Sequence, residues 1–505
     1  MRPRIILCLD SGTTSVKAAA FDLSGRLVAE VERPNDAMRR QGDRVEQDMP
    51  RTLALAWDVL RSCAKKAEGS PEGLVLTGQG DGLWALDAAG APVGPALTWL
   101  DGRARGMVAE LEKAVDRVEA ITASRPTAAA QSLQLLWLQR HEPDRLARIH
   151  HALRLKEWLF HELTGQLVGE PTVVLPLWGN WRTGALSRDV QDALGLDRGI
   201  ELLPEMKAVG EARAALTSAA AALTGLPDGL PVLMGPGDVQ ATLIGIGLGT
   251  RKEVSNASVF GTSAIHASLR ADPDGMPETP RGAMIQKFVI GEGYLCVHPC
   301  FNGASLLSHL ADRFANLPER VAPTRSGIVL HPFMAPGGER TPWTEPQAST
   351  AILGLTSATT PEQIAWAGRE ALAFAARTSH DMMGTGEGAL ALGGGLARDA
   401  AFAGFLATVT GRTVLRSPTS HAGPRGLAAV AAKHLLGASN EDIADLWIGA
   451  PEERVQPATG PEADYARDKF DLFRDTLADA ARHWTRLAAL GAMNDPDTEN
   501  DREIA

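Results

Sequence analysis

Three stretches of this chain set acidic or hydroxyl side chains beside glycines, where the backbone can bend toward a ligand. In Asp10-Ser11-Gly12-Thr13-Thr14-Ser15-Val16-Lys17 an aspartate ends an apolar run and a glycine opens a row of hydroxyls. Such a turn aims backbone N–H groups and O–H donors at a phosphate, and Asp10 can then hold a metal ion. A plain hairpin has the same composition, because Thr and Ser favour turns. The stretch is not a Walker A loop, since no G-x-x-x-x-G-K-[ST] follows a strand here. In Gly235-Pro236-Gly237-Asp238 a carboxylate follows the turn that ends an apolar run. A strand terminus facing a cleft is where a general base for a hydroxyl nucleophile belongs. A turn aspartate bonded to its own backbone reads alike.

The third stretch, Gly393-Gly394-Gly395-Leu396-Ala397-Arg398-Asp399, is a partial dinucleotide fingerprint with Arg398 in place of the third glycine. It suits a turn that lets a flat base lie against a helix start. Between residues 77 and 104, Gln79, Asp81 and Asp101 accompany Trp84 and Trp99. Acceptors beside aromatic faces fit a polyhydroxylated ligand. Core tryptophans with a turn aspartate would look the same.

The elements that must position these groups follow from periodicity. "RIILCLD", "SVKAAAFDL" and "RLVAEVER" form a β-meander broken by "SGTT" and "LSGR", so the first stretch is a hairpin tip. Helical spacing runs from Met49 to Ala67, a strand covers "GLVLTGQ", a helix spans 103–122, and two helices fill 132–164 with Gly165 as the stop. "EVSNASVFGTSAIHASL" repeats the apolar, Gly-Thr-Ser, apolar pattern of the start and points to an internal duplication. Thr360, Pro361 and Gln363 open a helix to about Met383 with a capping box. The domain boundary falls near Gly247, giving 1–247, 248–490 and a fraying polar tail, 491–505.

Composition sets the outer limits. A chain of 505 residues, 44% hydrophobic, buries a large core, and about 150 residues per domain allows two to four domains. The net charge of -11 repels phosphate backbones and anionic headgroups, so neither nucleic acid nor membrane is an expected partner. The early apolar run Ile5 to Leu9 is too short for a signal core or a span. Cys8, Cys63, Cys296 and Cys300 make no disulfide framework, which fits a cytoplasmic setting. Cys296 and Cys300 flank "VHP" without a second ligand pair, so they read as buried strand cysteines and not as a metal site.

Taken in order, "DSGTTSVK", "GQGDG" with "TWLDGRA", "LKEWLFHELTG", "GPGDVQA", "FGTS", "FNGAS" and "LGGGLARD" resemble the FGGY family of carbohydrate kinases from about Ile5 to Leu435. The resemblance implies an α/β fold of two ribonuclease-H-like, actin/hexokinase-type domains with the active site in the cleft between them. It implies ATP and Mg2+ as cofactors, with Asp10 and Asp238 at the metal. Gly12, Thr13, Thr14, Ser15 and Lys17 match the first phosphate hairpin, Lys17 standing where glycerol kinases carry arginine. Gly261 and Thr262 match the second, Gly303 lies in the element approaching the nucleotide, and Gly394, Gly395 and Asp399 match the adenosine motif. Asp238 matches the base that takes the substrate hydroxyl's proton. Homodimers are common in that family, and no interface is legible here.

The substrate loop departs from the better-known members. Gln79-Gly80-Asp81 replaces Gln-Arg-Glu of glycerol kinases and Gln-Met-His of xylulokinases, and Val239 replaces their Gln or Asn. Gly80 leaves room for an acceptor longer than glycerol, and Asp81 keeps a carboxylate. The loop most resembles erythritol and other polyol kinases and the L-ketose kinases. The expected acceptor is a polyol of four or five carbons bound by Gln79, Gly80, Asp81, Asp101, Asp238 and Val239. The alternatives are a ketopentose (L-xylulose, D-xylulose or L-ribulose) and an actin-like ATPase that phosphorylates nothing. Trp178, Asn180 or Trp181 is expected to add to the cleft.

Overall fold

The computed structural model describes residues 2–492 except 272–281, 336, 385–387, 418 and 420, so the expected tail lies outside it beyond Ala492. The opening residues form the expected meander, strands Arg4–Ser11, Ser15–Asp22 and Leu27–Pro34 paired antiparallel in turn. Ser70–Gly78 adds parallel to the first strand, Pro231–Met234 parallel beyond it, and Arg213–Ala215 antiparallel at the edge. Ile5 to Leu9 are wholly buried, which is why the first strand reads apolar throughout instead of alternating. Helix Met49–Ala67 packs on this sheet, opened by Asp48, whose side chain accepts the Arg51 N–H.

The same wiring recurs in the second half. Val254–Phe260, Ala264–Arg270 and Tyr294–Cys300 run antiparallel in turn, Ala389–Gly394 lies parallel to the first of them, and Val414–Arg416 parallel beyond it. Met284–Lys287 and Glu453–Val455 complete a seven-stranded sheet. The duplication suggested by the two Gly-Thr-Ser hairpins is therefore one of strand order. A separate five-stranded sheet, Met38–Gln41, Arg44–Gln47, Ala96–Thr98, Gly82–Leu86 and His151–Leu153, carries the loop around Asp81. Cys296 and Cys300 are buried in Tyr294–Cys300 as expected. Among the described residues no helix is long and apolar enough to cross a membrane.

Two stretches differ from expectation. The helix expected over 103–122 is split at Leu111 into Arg105–Glu110 and Glu112–Thr122. The two helices expected over 132–164 are Gln131–His141, a short Pro143–Ala147, and Leu155–Thr164, with strand His151–Leu153 before the last. Pro143 starts a new helix after Glu142 leaves helical geometry, and the strand exists because Gly82–Leu86 offers it an edge.

The halves are joined by two crossing helices, Asp238–Gly245 and Ala422–Leu436. The second follows Val414–Arg416 of the second sheet in sequence yet packs on Arg4–Ser11 and Ser70–Gly78 of the first. The crossing runs through Gly245 and Gly426: a Cβ on Gly245 would stand 1.8 Å from the Ala422 carbonyl oxygen, and one on Gly426 1.8 Å from that of Ala241. Gly426→Ala is expected to destabilise the protein by about 2 kcal/mol or more in urea unfolding, because the obstacle is backbone and not a side chain that can turn away.

The second half also buries a histidine cluster. The Ser258 hydroxyl bridges His266 Nδ1 at 2.9 Å and His380 Nε2 at 3.0 Å, and both ring nitrogens of His298 lack partners. Burial pushes His266 down to about 3 and His298 down to about 4. The unfolded chain therefore binds more protons below about pH 6.5, so this contribution to stability is present above that pH and lost as pH falls toward 4. In His298→Leu, the slope of unfolding free energy against pH between 6 and 4.5 is expected to fall by about 1.4 kcal/mol per pH unit.

Candidate active site

Asp10 lies near the end of Arg4–Ser11, opposite Lys17 in the hairpin register, and the Lys17 ammonium pairs with Glu32 at 3.3 Å. Burial pushes the Asp10 carboxyl up to about 6, against the pull of Lys17 and with the push of Glu32. Asp238 does not end a strand as expected. The strand stops at Met234, the Gly-Pro-Gly turn intervenes, and Asp238 is the first residue of its helix, where the N-terminal dipole favours a negative charge. Burial and the Asp10 charge push it up to about 7, opposed by the Val239 N–H bonded to its Oδ1 at 2.9 Å and by the Lys156 charge. A Cβ on Gly80 would lie 3.6 Å from Asp238 Oδ1, and one on Gly423, in the first turn of Ala422–Leu436, 3.0 Å from Asp10 Oδ2. Both carboxylates thus sit against bare backbone.

The two hairpin tips are held from outside. Asn35 Nδ2 donates to the Gly12 carbonyl at 3.0 Å, the Asn35 N–H to that of Thr14 at 2.9 Å, and Trp99 Nε1 to the Thr13 hydroxyl at 2.7 Å. At the second tip the Ala304 N–H donates to Gly261 O at 2.8 Å and the Ser305 hydroxyl to Thr262 O at 2.7 Å. The glycines divide by cause. Gly303 and Gly394 have backbone against them, 2.2 Å and 2.3 Å from an added Cβ, so the fold demands them. Gly261 and Gly395 have room, 3.7 Å and 3.8 Å, and packing alone does not call for a glycine there. An open, flat surface at those two positions fits a nucleotide.

Other expected residues fall in different roles. Asp399 caps Ala400–Thr410, accepting the Phe402 N–H at 3.0 Å, and pairs with Arg369 at 2.7 Å. Asp101 is wholly engaged by the protein: its oxygens accept the Val45 N–H at 2.8 Å and bond Arg103 at 2.8 Å. Gln79 donates to Gln47 at 3.0 Å, while its buried carbonyl oxygen has no partner. Val239 is half-buried and packs on the apolar cluster under its helix. Trp178 belongs to the core, bonded to Gln131 at 3.0 Å, and Asn180 closes its own turn, so neither adds to the cleft as expected. Trp181 lines a cavity of about 270 Å³ at the seam, with Gln286, Lys287 and Tyr294.

Burial raises the Asp81 carboxyl, and two arginines oppose it: Arg340 from the second half and Arg154 from the first. Neither arginine was foreseen, nor were Lys156, Glu170 and Thr172, which surround the turn before Asp238. These contacts span tens of residues, and the only signal was that charged residues occur in the apolar stretch "LKEWLFHELTG".

For a divalent cation, two half-buried carboxylates, one of which raises the proton affinity of the other, are a suitable pair. Among the described residues no group of three or more acidic, His or Cys side chains is placed to hold a metal ion by itself. That fits Mg2+, which takes one or two carboxylates and completes its shell with phosphate and water.

Residues 5–245 match the description "FGGY family of carbohydrate kinases, N-terminal domain" and residues 256–435 the corresponding C-terminal domain. The chain is 29% identical to the erythritol kinase of Brucella abortus (strain 2308), over 96% of this chain and 98% of that one. It is also 29% identical to the xylulose kinase of Streptomyces coelicolor, with the same coverage. In structure it resembles the gluconate kinase of Lactobacillus acidophilus, with a TM-score of 0.87 at 19% identity over 96% of this chain and all of that one. The xylulose kinase of Rhodospirillum rubrum gives 0.84 at 24% identity, over 95% of this chain and all of that one.

Gly395→Ala tests the open-surface argument: the melting temperature is expected to hold, while KM for ATP rises about tenfold, a loss of about 1.4 kcal/mol of binding. Initial rates against ATP concentration measure it.

Proposed function

The chain belongs to the FGGY family of carbohydrate kinases and is an ATP-dependent sugar phosphotransferase that uses Mg2+; from that premise we propose that its acceptor is a polyol of four or five carbons, erythritol-like, with Asp238 as general base. The observation that carries the base is position: Asp238 is a half-buried carboxyl at a helix start, beside the Gly80 backbone and within reach of a second carboxylate's charge. A group poised near neutrality both takes a proton and gives it back. The acceptor O–H bond breaks with its proton passing to Asp238, and the oxygen bonds to the γ-phosphorus. The bond from that phosphorus to the bridging oxygen breaks, leaving ADP. Mg2+, when bound, would supply neutralisation of the charge that develops on the phosphates, and Asp10 is the carboxylate suited to hold it, with Asp238 second.

Gly12 to Ser15, Lys17, Gly261, Thr262 and Gly303 line the phosphates in this reading, and Gly394 and Gly395 the nucleoside. Asp399 and Asp101 act through the helix and loop they hold. Gln79 and Asp81 accept hydrogen bonds from the polyol hydroxyls in this reading. Similarity to an erythritol kinase and the small Gly80 support the polyol, while the xylulose kinases among the relatives keep a ketopentose as the second reading. We take 1–247 and 248–490 as the two domains. The four buried, unpaired cysteines support a cytoplasmic setting.

ADP release with Mg-ATP across glycerol, erythritol, threitol, the pentitols and the ketopentoses is expected to show strong turnover on one tetritol or pentitol. Asp238→Asn is expected to cut kcat by about 10²- to 10⁴-fold with KM for ATP little changed. Turnover on ketoses alone would replace the polyol, and near-normal turnover in Asp238→Asn would remove the base.

A further inference from the structure

The turn that delivers Asp238 is held by side chains from three other elements. The Gly235 N–H donates to Leu76 O at 2.8 Å, and the Thr77 hydroxyl donates to Pro236 O at 2.7 Å. Lys156, wholly buried in the first turn of Leu155–Thr164, donates through Nζ to Gly235 O at 2.8 Å and to the Glu170 carboxylate. Glu170, also wholly buried, accepts the Thr172 N–H at 2.9 Å through one oxygen and the Thr172 hydroxyl through the other. Thr172 Oγ1 then accepts the Gly237 N–H at 2.9 Å. The amide next to Asp238 is thus the end of a chain that starts at a buried ion pair.

That ion pair is a poor device for stability. Removing two charges from water costs several kcal/mol each, and an apolar pair of similar volume often does as well or better. What the pair does supply is direction. A carboxylate with both oxygens used and an ammonium with two fixed acceptors leave Thr172 one orientation, its hydroxyl proton toward Glu170 and its lone pair toward Gly237. Glycines would otherwise leave this turn loose, and the chain of bonds removes that freedom.

We propose that Lys156, Glu170 and Thr172 are positioning residues for phosphoryl transfer, a clamp that fixes the Gly235-Pro236-Gly237 turn and thereby aims the Asp238 carboxylate at the acceptor hydroxyl. This rests on the reading of Asp238 as the base. Misplacing a reacting group by about 1 Å costs on the order of 10²-fold in rate without touching ground-state binding. Among the described residues the clamp's side-chain hydrogen bonds run to the 235–237 turn and to one another, so its loss is expected to fall on kcat.

The test uses Thr172→Val, which keeps the shape and removes the hydroxyl, Thr172→Ser, which keeps the hydroxyl, and the double variant Lys156→Met/Glu170→Met, which removes the ion pair as a unit. Amide hydrogen exchange across residues 235–239 is followed by mass spectrometry, with the kinetics of ADP release on the best acceptor of the panel above. Thr172→Val is expected to speed exchange at Gly237 about tenfold or more and to lower kcat about 10- to 100-fold, with both KM values within about twofold. Thr172→Ser is expected to behave as wild type. The double variant is expected to keep or raise its melting temperature while losing kcat, a combination that a merely structural pair would not give. Unchanged exchange at Gly237, or kcat within about twofold in both Thr172→Val and the double variant, would overturn the clamp. If wild type turns over no acceptor, the kinase reading fails instead, and the exchange data alone decide whether the clamp exists.

Discussion

Asp10 and Asp238 are half-buried carboxylates from different parts of the chain, close enough for the charge of Asp10 to raise the proton affinity of Asp238. Without a cation, ionising both carries an electrostatic cost, and the surrounding structure is arranged to hold them together regardless. Asp10 is fixed by strand pairing on both sides, Asp238 by a helix start and a pinned turn. Backbone approaches both through Gly80 and Gly423, so little side-chain bulk separates the carboxylates from the cleft. A divalent cation held between them would relieve that cost.

Around this pair the charges alternate. Lys17 sits against Asp10 and Glu32, Lys156 lowers the proton affinity of Asp238, and Arg154 and Arg340 do the same for Asp81. Arg340 is the member from the second half, so the charge state of the Asp81 loop depends on that half being near. The field at Asp81 is thus shaped by both halves.

The glycine turns, the meander, helix Met49–Ala67 and the capped helix at Thr360 were readable because their causes are local: a cap, a proline, a period. The duplication was readable only as a faint echo of Gly-Thr-Ser, since strand order leaves no trace in composition. Asp238 could be singled out but not set at a helix start, because Gly-Pro-Gly ends a strand and begins a helix with equal ease. Asp101 reads as a ligand acceptor from its aromatic neighbours and Asp399 from its match to the family's adenosine motif, yet Arg103 and Arg369 use much of their capacity. The clamp residues were invisible for a single reason. Lys156 meets Gly235 across 79 positions, and a buried ammonium in an apolar helix start looks like any solvated lysine until its neighbours are known.

The crossing of Asp238–Gly245 with Ala422–Leu436 has a consequence for motion. Where Gly245 meets Gly426, main chain lies on main chain, with no rotamers to rearrange as the angle between the helices changes. Such a contact is stiff in distance and compliant in rotation, as a knife-edge bearing is. The amino end of each helix carries one side of the charged centre, Asp238 on one and Gly423 against Asp10 on the other. A small rocking at the bearing therefore leaves the carboxylates nearly still while the outer rims of the cleft, a lever arm away, sweep through several times that movement.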